Sequence, residues 1–247
     1  MEQKAISGLK ESFDRDGYVF IPGFLGKIDV DEINNKLAQC IEEKLPGMPE
    51  KHKIYEDRSD ESTLKTLIDL QVYHSFFSEI LNSDKFRQVA ETLLEENAIG
   101  KTVEYFNKPP RIGKPTPPHQ DNYYFNLKPP KAVTMWMALE EVDVENGCVR
   151  YIKGSHLKGL RTHGKTQTLG FSQGITDYEK DIAEEIAFPA RPGDLIVHHA
   201  LTIHRADGNI SESRTRKALG LIYFSETAEI DTEAKNAYLK QIDVVSK

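Results

Sequence analysis

Two residues that can bind a metal stand one residue apart in "PTPPHQDNYYF" (115–125), His119 and Asp121, between a proline-rich loop and an aromatic run. On an extended strand, residues two apart project from the same face, so both side chains would meet one ion. A third donor must come from elsewhere, and "VHHALTIH" offers His198, His199 and His204. Two imidazoles and one carboxylate on one face of Fe(II) leave positions free for an oxo-acid and dioxygen, the arrangement of non-haem oxygenases. An isolated His-x-Asp is common on protein surfaces and says little alone. An oxo-acid, however, carries a distal carboxylate, and guanidinium is its best two-pronged partner. "SRTRKALGLIYF" supplies Arg214 and Arg216 at the head of a strand-like run shortly after the histidines.

The elements that must position these groups change character near residue 100. Before it, "EQKAISGLKESFDRDG" reads as a helix stopped by Gly17, "YVFIPGFL" as a short strand and turn. "DVDEINNKLAQCIEEKL" repeats Val30, Ile33, Leu37 and Ile41 at helical spacing, and "NSDKFRQVAETLLEEN" begins at a capping serine, Ser83. After it, "KTVEYFN", "AVTMWMALEEV", "CVRYIKG", "EEIAFPA", "DLIVHHALTIH" and "RKALGLIYFS" read as strands punctuated by Pro, Gly and Asn. Asn146-Gly147 signals a hairpin and Pro192-Gly193 a turn into the next strand. "TEAKNAYLKQIDVV" closes with a helix. The expected class is mainly β with packed helices (α+β), a β-sandwich or barrel with helices against it. A single domain is expected over 1–247: helical support over 1–99, the strand core over 100–225, a C-terminal helix over 226–247.

Composition narrows the function classes. The 247 residues are 38% hydrophobic and 29% charged, with a formal net charge of −7. Scattered basic residues and net negative charge argue against nucleic acid as a partner. No apolar run approaches the ~18 residues of a membrane span, so no membrane association is expected. "MEQKAISGLKESF" lacks the basic start and apolar core of a secretory signal. Two cysteines, Cys40 and Cys148, make no disulfide framework, and a cytoplasmic location is expected.

Taken in order, "NKPPRIGKPTPPHQDNYYF", "MWMALEEVDVENGCVRYIKGSH", "GITDYEK", "PGDLIVHHALTIHRADGN" and "RKAL" resemble the phytanoyl-CoA dioxygenase family of Fe(II)/2-oxoglutarate oxygenases, with "FDRDGYVFIPGFL" similar to the family's entry motif. The resemblance runs from about Asn107 to Phe224 and implies a double-stranded β-helix, a cupin-like jelly roll. It implies that His119, Asp121 and His204 hold the iron and that Arg216 binds the far carboxylate of 2-oxoglutarate, with Arg214 as the fallback. Trp136 and Asn107 are implied in the cosubstrate pocket, beside His119, and His199 in a supporting role. Where the family often has serine two residues past the distal histidine, this chain has Ala206. Where it often has glycine one residue past, this chain has Arg205, placed near the substrate. The retained Asp121 argues against halogenation, which in this superfamily goes with a small residue there.

The implied activity is hydroxylation of an aliphatic C–H bond of a small molecule, using Fe(II), 2-oxoglutarate and O2 and releasing succinate and CO2. The alternatives are a non-catalytic metal-binding jelly-roll module and a zinc hydrolase on the same triad. Tyr123, which shares strand parity with Asp121, is expected at the substrate. Gln120 is expected to point away from the metal, and Cys148 to pack as a small hydrophobe. His156 is expected to anchor a loop, and His52, His74 and His163 to be surface or capping residues. Lys108, Arg111, Lys114, Arg161 and Lys165 could greet an anionic substrate, acyl-CoA or phosphonate-like.

Overall fold

The computed structural model describes residues 3–243. Fifteen strands are found among them: β1 Tyr18–Ile21, β2 Lys53–Tyr55, β3 Leu64–Leu67, β4 Ala98–Lys108, β5 Thr116–His119, β6 Leu127–Lys128, β7 Ala132–Ala138, β8 Val149–Ile152, β9 His163–Thr168, β10 Phe171–Ile175, β11 Glu185–Phe188, β12 Leu195–His199, β13 His204–Ala206, β14 Arg216–Ser225 and β15 Glu229–Ile230. The α-helices are α1 Gln3–Asp16, α2 Lys27–Lys44, α3 Leu70–Tyr73, α4 Ser75–Leu81, α5 Asp84–Leu94, α6 Asn122–Phe125 and α7 Thr232–Asp243.

Alternation along the strands builds two cores. On β14, Leu219, Leu221 and Tyr223 face the helices, while Arg216, Ala218 and Ile222 face the opposite way. β7 does the same, with Val133, Met135 and Met137 toward the helices and Thr134 and Trp136 away from them. These strands lie in a seven-stranded antiparallel sheet of order β1-β12-β7-β14-β4-β3-β2. One face is covered by α1, α2, α4 and α5, whose Phe13, Val30, Ile33, Leu37, Phe77 and Phe86 are all buried. Opposite the other face stands a four-stranded sheet, β11-β8-β13-β5. Tyr18, Trp136, Val149, Tyr151 and Ile196 fill one end of the space between the sheets, and a cavity occupies the rest. The double-stranded β-helix expected from the resemblance is present.

Several local expectations need adjustment. The segment before residue 100 contributes β1 to one edge of the large sheet and β2 and β3 to the other, so it is structural barrel as well as helical support. In α2 the buried stripe is Val30, Ile33, Leu37 and Cys40, with Ile41 only half-buried. Ser83 does stand before α5, but its hydroxyl donates to the Ile80 carbonyl rather than capping the helix. Asn146-Gly147 is not a hairpin turn, because β7 and β8 belong to different sheets. The turn carries the chain across the barrel, and the buried Asn146 amide donates to the carbonyls of Glu141 (2.8 Å) and Thr215 (3.1 Å). The expected terminal helix is α7; residues 244–247 of that reading lie outside the described residues.

The turn at Pro192-Gly193 launches β12 as expected, with the Asp194 amide donating to the Arg191 carbonyl at 2.9 Å. Gly193 has φ +89°, and a Cβ there would lie 2.2 Å from the Leu25 carbonyl oxygen. Left-handed backbone costs an L-residue roughly 1–2 kcal/mol before any clash. Gly193→Ala is therefore expected to lower the unfolding free energy, read from urea titration, by at least that amount, without altering the site chemistry of any protein that remains folded.

Candidate active site

β13 and β5 pair antiparallel with His204 directly opposite His119, so the small sheet sets two imidazoles side by side, ring centroids 4.2 Å apart. Each ring is oriented by its own chain: Nδ1–H of His119 donates to the Pro117 carbonyl at 2.8 Å, and that of His204 to the Thr202 carbonyl at 3.0 Å. Both Nε2 lone pairs are thereby free to face the cavity, the tautomer that metal ligation needs. Burial, reinforced by His119 and His198, holds His204 well below the usual imidazole range, so it is neutral.

Asp121 arrives differently from the strand expectation. β5 ends at His119 and the chain turns at once into α6, for which Asp121 is the residue before the first turn, already with helical φ and ψ. Its Oδ1 lies 3.5 Å from Nε2 of both His119 and His204. Its Oδ2 accepts from Thr134 Oγ1 at 2.6 Å and from His198 Nε2–H at 3.0 Å. His198 Nδ1 in turn meets the Tyr151 hydroxyl at 2.9 Å. Burial alone would raise this carboxyl, but the imidazoles of His204, His119 and His198 around it hold it well below the usual range. Donor atoms of His119, Asp121 and His204 all lie within 4.8 Å of one another. Of the three downstream histidines, His204 thus completes the donor set and His198 fixes the carboxylate. His199 Nδ1 accepts the Leu201 amide at 3.0 Å and its ring packs on Phe13 and His156, away from the cluster.

The helical turn also decides between the tyrosines. Three residues, not two, bring the chain back to the same face of α6, so Tyr124 lines the cavity and packs edge-on to His119. Tyr123 instead stacks on His163 at 4.1 Å and donates to Gln241 at 2.9 Å. His163 is therefore no surface residue: it is buried and its Nε2 accepts the Gln120 amide at 3.2 Å. Gln120 points away from the cluster, donating to the carbonyls of Gly159 and Leu201. His74 caps α4 through the Phe76 amide, and His156 holds the Asp14 carbonyl, tying its loop to α1. Cys148 is buried in the core between the sheets.

The cavity, about 300 Å³, runs from this cluster to Arg216. The Arg216 guanidinium is buried, lies 5.6 Å above the Trp136 ring, and has Nε and Nη1 without hydrogen-bond partners. Burial lowers it to about 10, still cationic at neutral pH. Two unpaired donors on a planar cation at the base of a cavity fit a carboxylate. Arg214, by contrast, is spent on Asp143 and Glu145 and does not line the cavity. Asn107 lines the wall; its amide donates to the Leu64 carbonyl at 2.8 Å and its Oδ1 has no partner. Arg205 borders the cavity, but its guanidinium is held by Glu185 and Asp207 and is not free for a substrate. Sequence reasoning missed Thr134, Tyr151, Lys65 and Glu104. Lys65 is buried beside Glu56 at 3.3 Å, near Arg216. Thr134 could have been found, since it shares strand parity with Trp136.

Residues 13–218 match the profile of the phytanoyl-CoA dioxygenase family. Peroxisomal phytanoyl-CoA dioxygenase of Bos taurus is 26% identical over 96% of this chain and 75% of its own length. Phytanoyl-CoA dioxygenase domain-containing protein 1 of Danio rerio is 30% identical over 58% of this chain, which spans about half of that protein (51%). Among solved structures, the epimerase SnoN in complex with Fe3+, alpha ketoglutarate and nogalamycin RO superposes with a TM-score of 0.76 at 24% identity, covering 93% of this chain and 87% of its own. EctD from S. alaskensis with 2-oxoglutarate and 5-hydroxyectoine gives 0.74 at 18% identity, covering 94% and 78%. The fold is the one these structures share, and His119, Asp121 and His204 form a donor set that could hold a metal ion. The chain belongs to the phytanoyl-CoA dioxygenase family and is a 2-oxoglutarate-dependent dioxygenase. Among the described residues no helix is long and apolar enough to cross a membrane.

Burial, with Asp121 and Asp69 nearby, raises Glu104 in the cavity wall to about 8. Unfolded, it would ionise in the ordinary carboxylate range, near 4.5. Between those values the folded chain binds a proton that the unfolded chain lacks, so stability falls as pH rises through this window and levels off above it. Glu104→Gln removes that penalty. The metal-free variant is expected to melt several degrees above the parent at pH 9 and close to it at pH 4.5; equal melting at both values would contradict the burial of this acid.

Proposed function

We propose that this dioxygenase hydroxylates an aliphatic C–H bond of a small molecule, with succinate and CO2 as coproducts. One observation carries the reading: a donor set of two imidazoles and one carboxylate faces the same cavity as a buried guanidinium with two unpaired N–H groups. In this reading His119, Asp121 and His204 hold Fe(II), and Arg216 takes the far carboxylate of 2-oxoglutarate. Bound there, Fe(II) and 2-oxoglutarate supply the activation of dioxygen and the transfer of one oxygen atom to the substrate.

The chain's own residues have separable tasks. Pro117 and Thr202 carbonyls keep the imidazoles in the ligating tautomer, and Thr134 and His198 restrict Asp121 to one free oxygen. Trp136 supports the Arg216 guanidinium from one side. Asn107, with its unpartnered oxygen, borders the same stretch. Phe106, Phe171 and Tyr124 line the walls and exclude water from the reacting end.

Three of the five loop cations considered for an anionic substrate are already engaged within the protein. Arg111 pairs with Glu212, Arg161 with Asp177 and Asp181, and Lys108 is buried against the Lys114 carbonyl. Of the cations that line the cavity, Arg205 is held by Glu185 and Asp207, and Lys65, Lys108 and Arg216 gather at the cosubstrate end. We read residues 1–247 as one catalytic domain, and the buried free thiols of Cys40 and Cys148 support a reducing compartment such as the cytoplasm.

Two variants test the division of labour. His119→Ala or Asp121→Ala is expected to abolish succinate formation and weaken Fe(II) binding by at least about a hundredfold, since each removes a ligand. Retention of both functions would show that the site is misassigned. Arg216→Ala is expected to raise the KM for 2-oxoglutarate by roughly two orders of magnitude, about what a desolvated charged pair is worth. Fe(II) binding, read by calorimetry, should change little in that variant; an unaltered KM would remove Arg216 from its role.

A further inference from the structure

Glu104 is the cavity group to which the oxygenase reading gives no task. It stands on β4 in register with Gly220 of β14, which is itself opposite Trp136 of β7. Thr134, the anchor of Asp121, lies on β7, two strands away. At about 4.8 Å per strand this sets Glu104 roughly 10 Å to the side of Trp136, with Thr134 two residues, about 7 Å, further along β7. That side of the cavity is walled by Ile54, Thr66 and Ile68.

The carboxylate opens to the cavity yet is surrounded by protein, and among the described residues it has no hydrogen bond and no ion pair. Among the described residues, the other acids set into the interior are matched. Glu56 has Lys65, Asp194 accepts the Gly23 and Arg191 amides, and Glu185 holds Arg205. An unmatched acid costs stability, and its retention in a cavity wall points to a ligand. The charges that act on it, Asp121 and Asp69, are of the same sign. Lys108 is on the same strand and face, but four residues away, about 13 Å. A carboxylate in such surroundings is complemented by a cation that brings its own N–H donors.

We propose that Glu104 recognises the substrate, and that the substrate class is a small aliphatic amine whose ammonium group binds this carboxylate while its methylenes cross the apolar wall toward the metal ligands. The position of the reacting end rests on the oxygenase reading above; the recognition itself does not.

The test is calorimetric titration of n-hexylamine and 1-hexanol, the same skeleton with and without charge, into anaerobic enzyme loaded with Fe(II) and 2-oxoglutarate, at about pH 8.5, where Glu104 is largely ionised and the amine still an ammonium. The amine is expected to bind at least about tenfold tighter than the alcohol, as a charge-assisted hydrogen bond predicts. Glu104→Gln should erase that preference and leave the alcohol unaffected, while Glu104→Asp, which keeps the charge, should retain part of it. Equal binding of the two probes to the parent, or an amine preference that survives Glu104→Gln, overturns the proposal. If Fe(II) or 2-oxoglutarate fails to bind, the oxygenase reading falls. The two probes titrated into the protein alone then decide the role of Glu104 by the same criteria.

Discussion

The structure turns on how the two oxygens of Asp121 are divided. Oδ1 faces the imidazoles of His119 and His204, which belong to the four-stranded sheet; Oδ2 is held by Thr134 and His198, which belong to the seven-stranded sheet. One carboxylate therefore links the two walls of the barrel at the cavity. Its ionised form is stabilised by neighbours on both sides, which burial alone would oppose. Because Oδ2 is engaged, one oxygen remains for an ion, and the positions opposite the three donors stay open. The Tyr151 hydroxyl behind His198 extends this support into the core between the sheets.

The rest of the cavity follows an arrangement of charge that the strands impose. β14 and β4 place Arg216 opposite Lys108 at one end, so the cations collect where a dicarboxylate would end. Toward the other end the same two strands present Gly220 and Glu104, with the negative charges of Asp121 and Asp69 nearby. Alternation along each strand fixes which side chains enter this space, and the helices on the far face of the large sheet make the placement rigid.

Much of the donor set was legible because it is written locally. His119 and Asp121 stand one residue apart, and His204 and Arg216 fall at recognisable places after a Pro-Gly turn and at a strand head. The resemblance chose between His198, His199 and His204, and between Arg214 and Arg216, where spacing alone left them open. What was not legible depends on three dimensions. Tyr123 was favoured on strand parity, but α6 begins at Asn122 and exchanges it for Tyr124. Asn146-Gly147 has hairpin chemistry, yet its flanking strands are drawn into different sheets. In "KTVEYFN", Glu104 alternates with apolar residues and reads as a solvent face; the second sheet that covers that face is distant in sequence. Arg205 and Arg161 looked available because their partners, Glu185, Asp207, Asp177 and Asp181, are brought to them by folding.

The central claim is that this cavity couples the breakdown of 2-oxoglutarate to dioxygen. Turnover under ¹⁸O-labelled dioxygen, with succinate analysed by mass spectrometry, tests it most directly. One labelled oxygen atom in each succinate, dependent on added Fe(II), is the expected result. Succinate that forms without the label, or no succinate from protein shown to have bound iron and 2-oxoglutarate, would contradict the account.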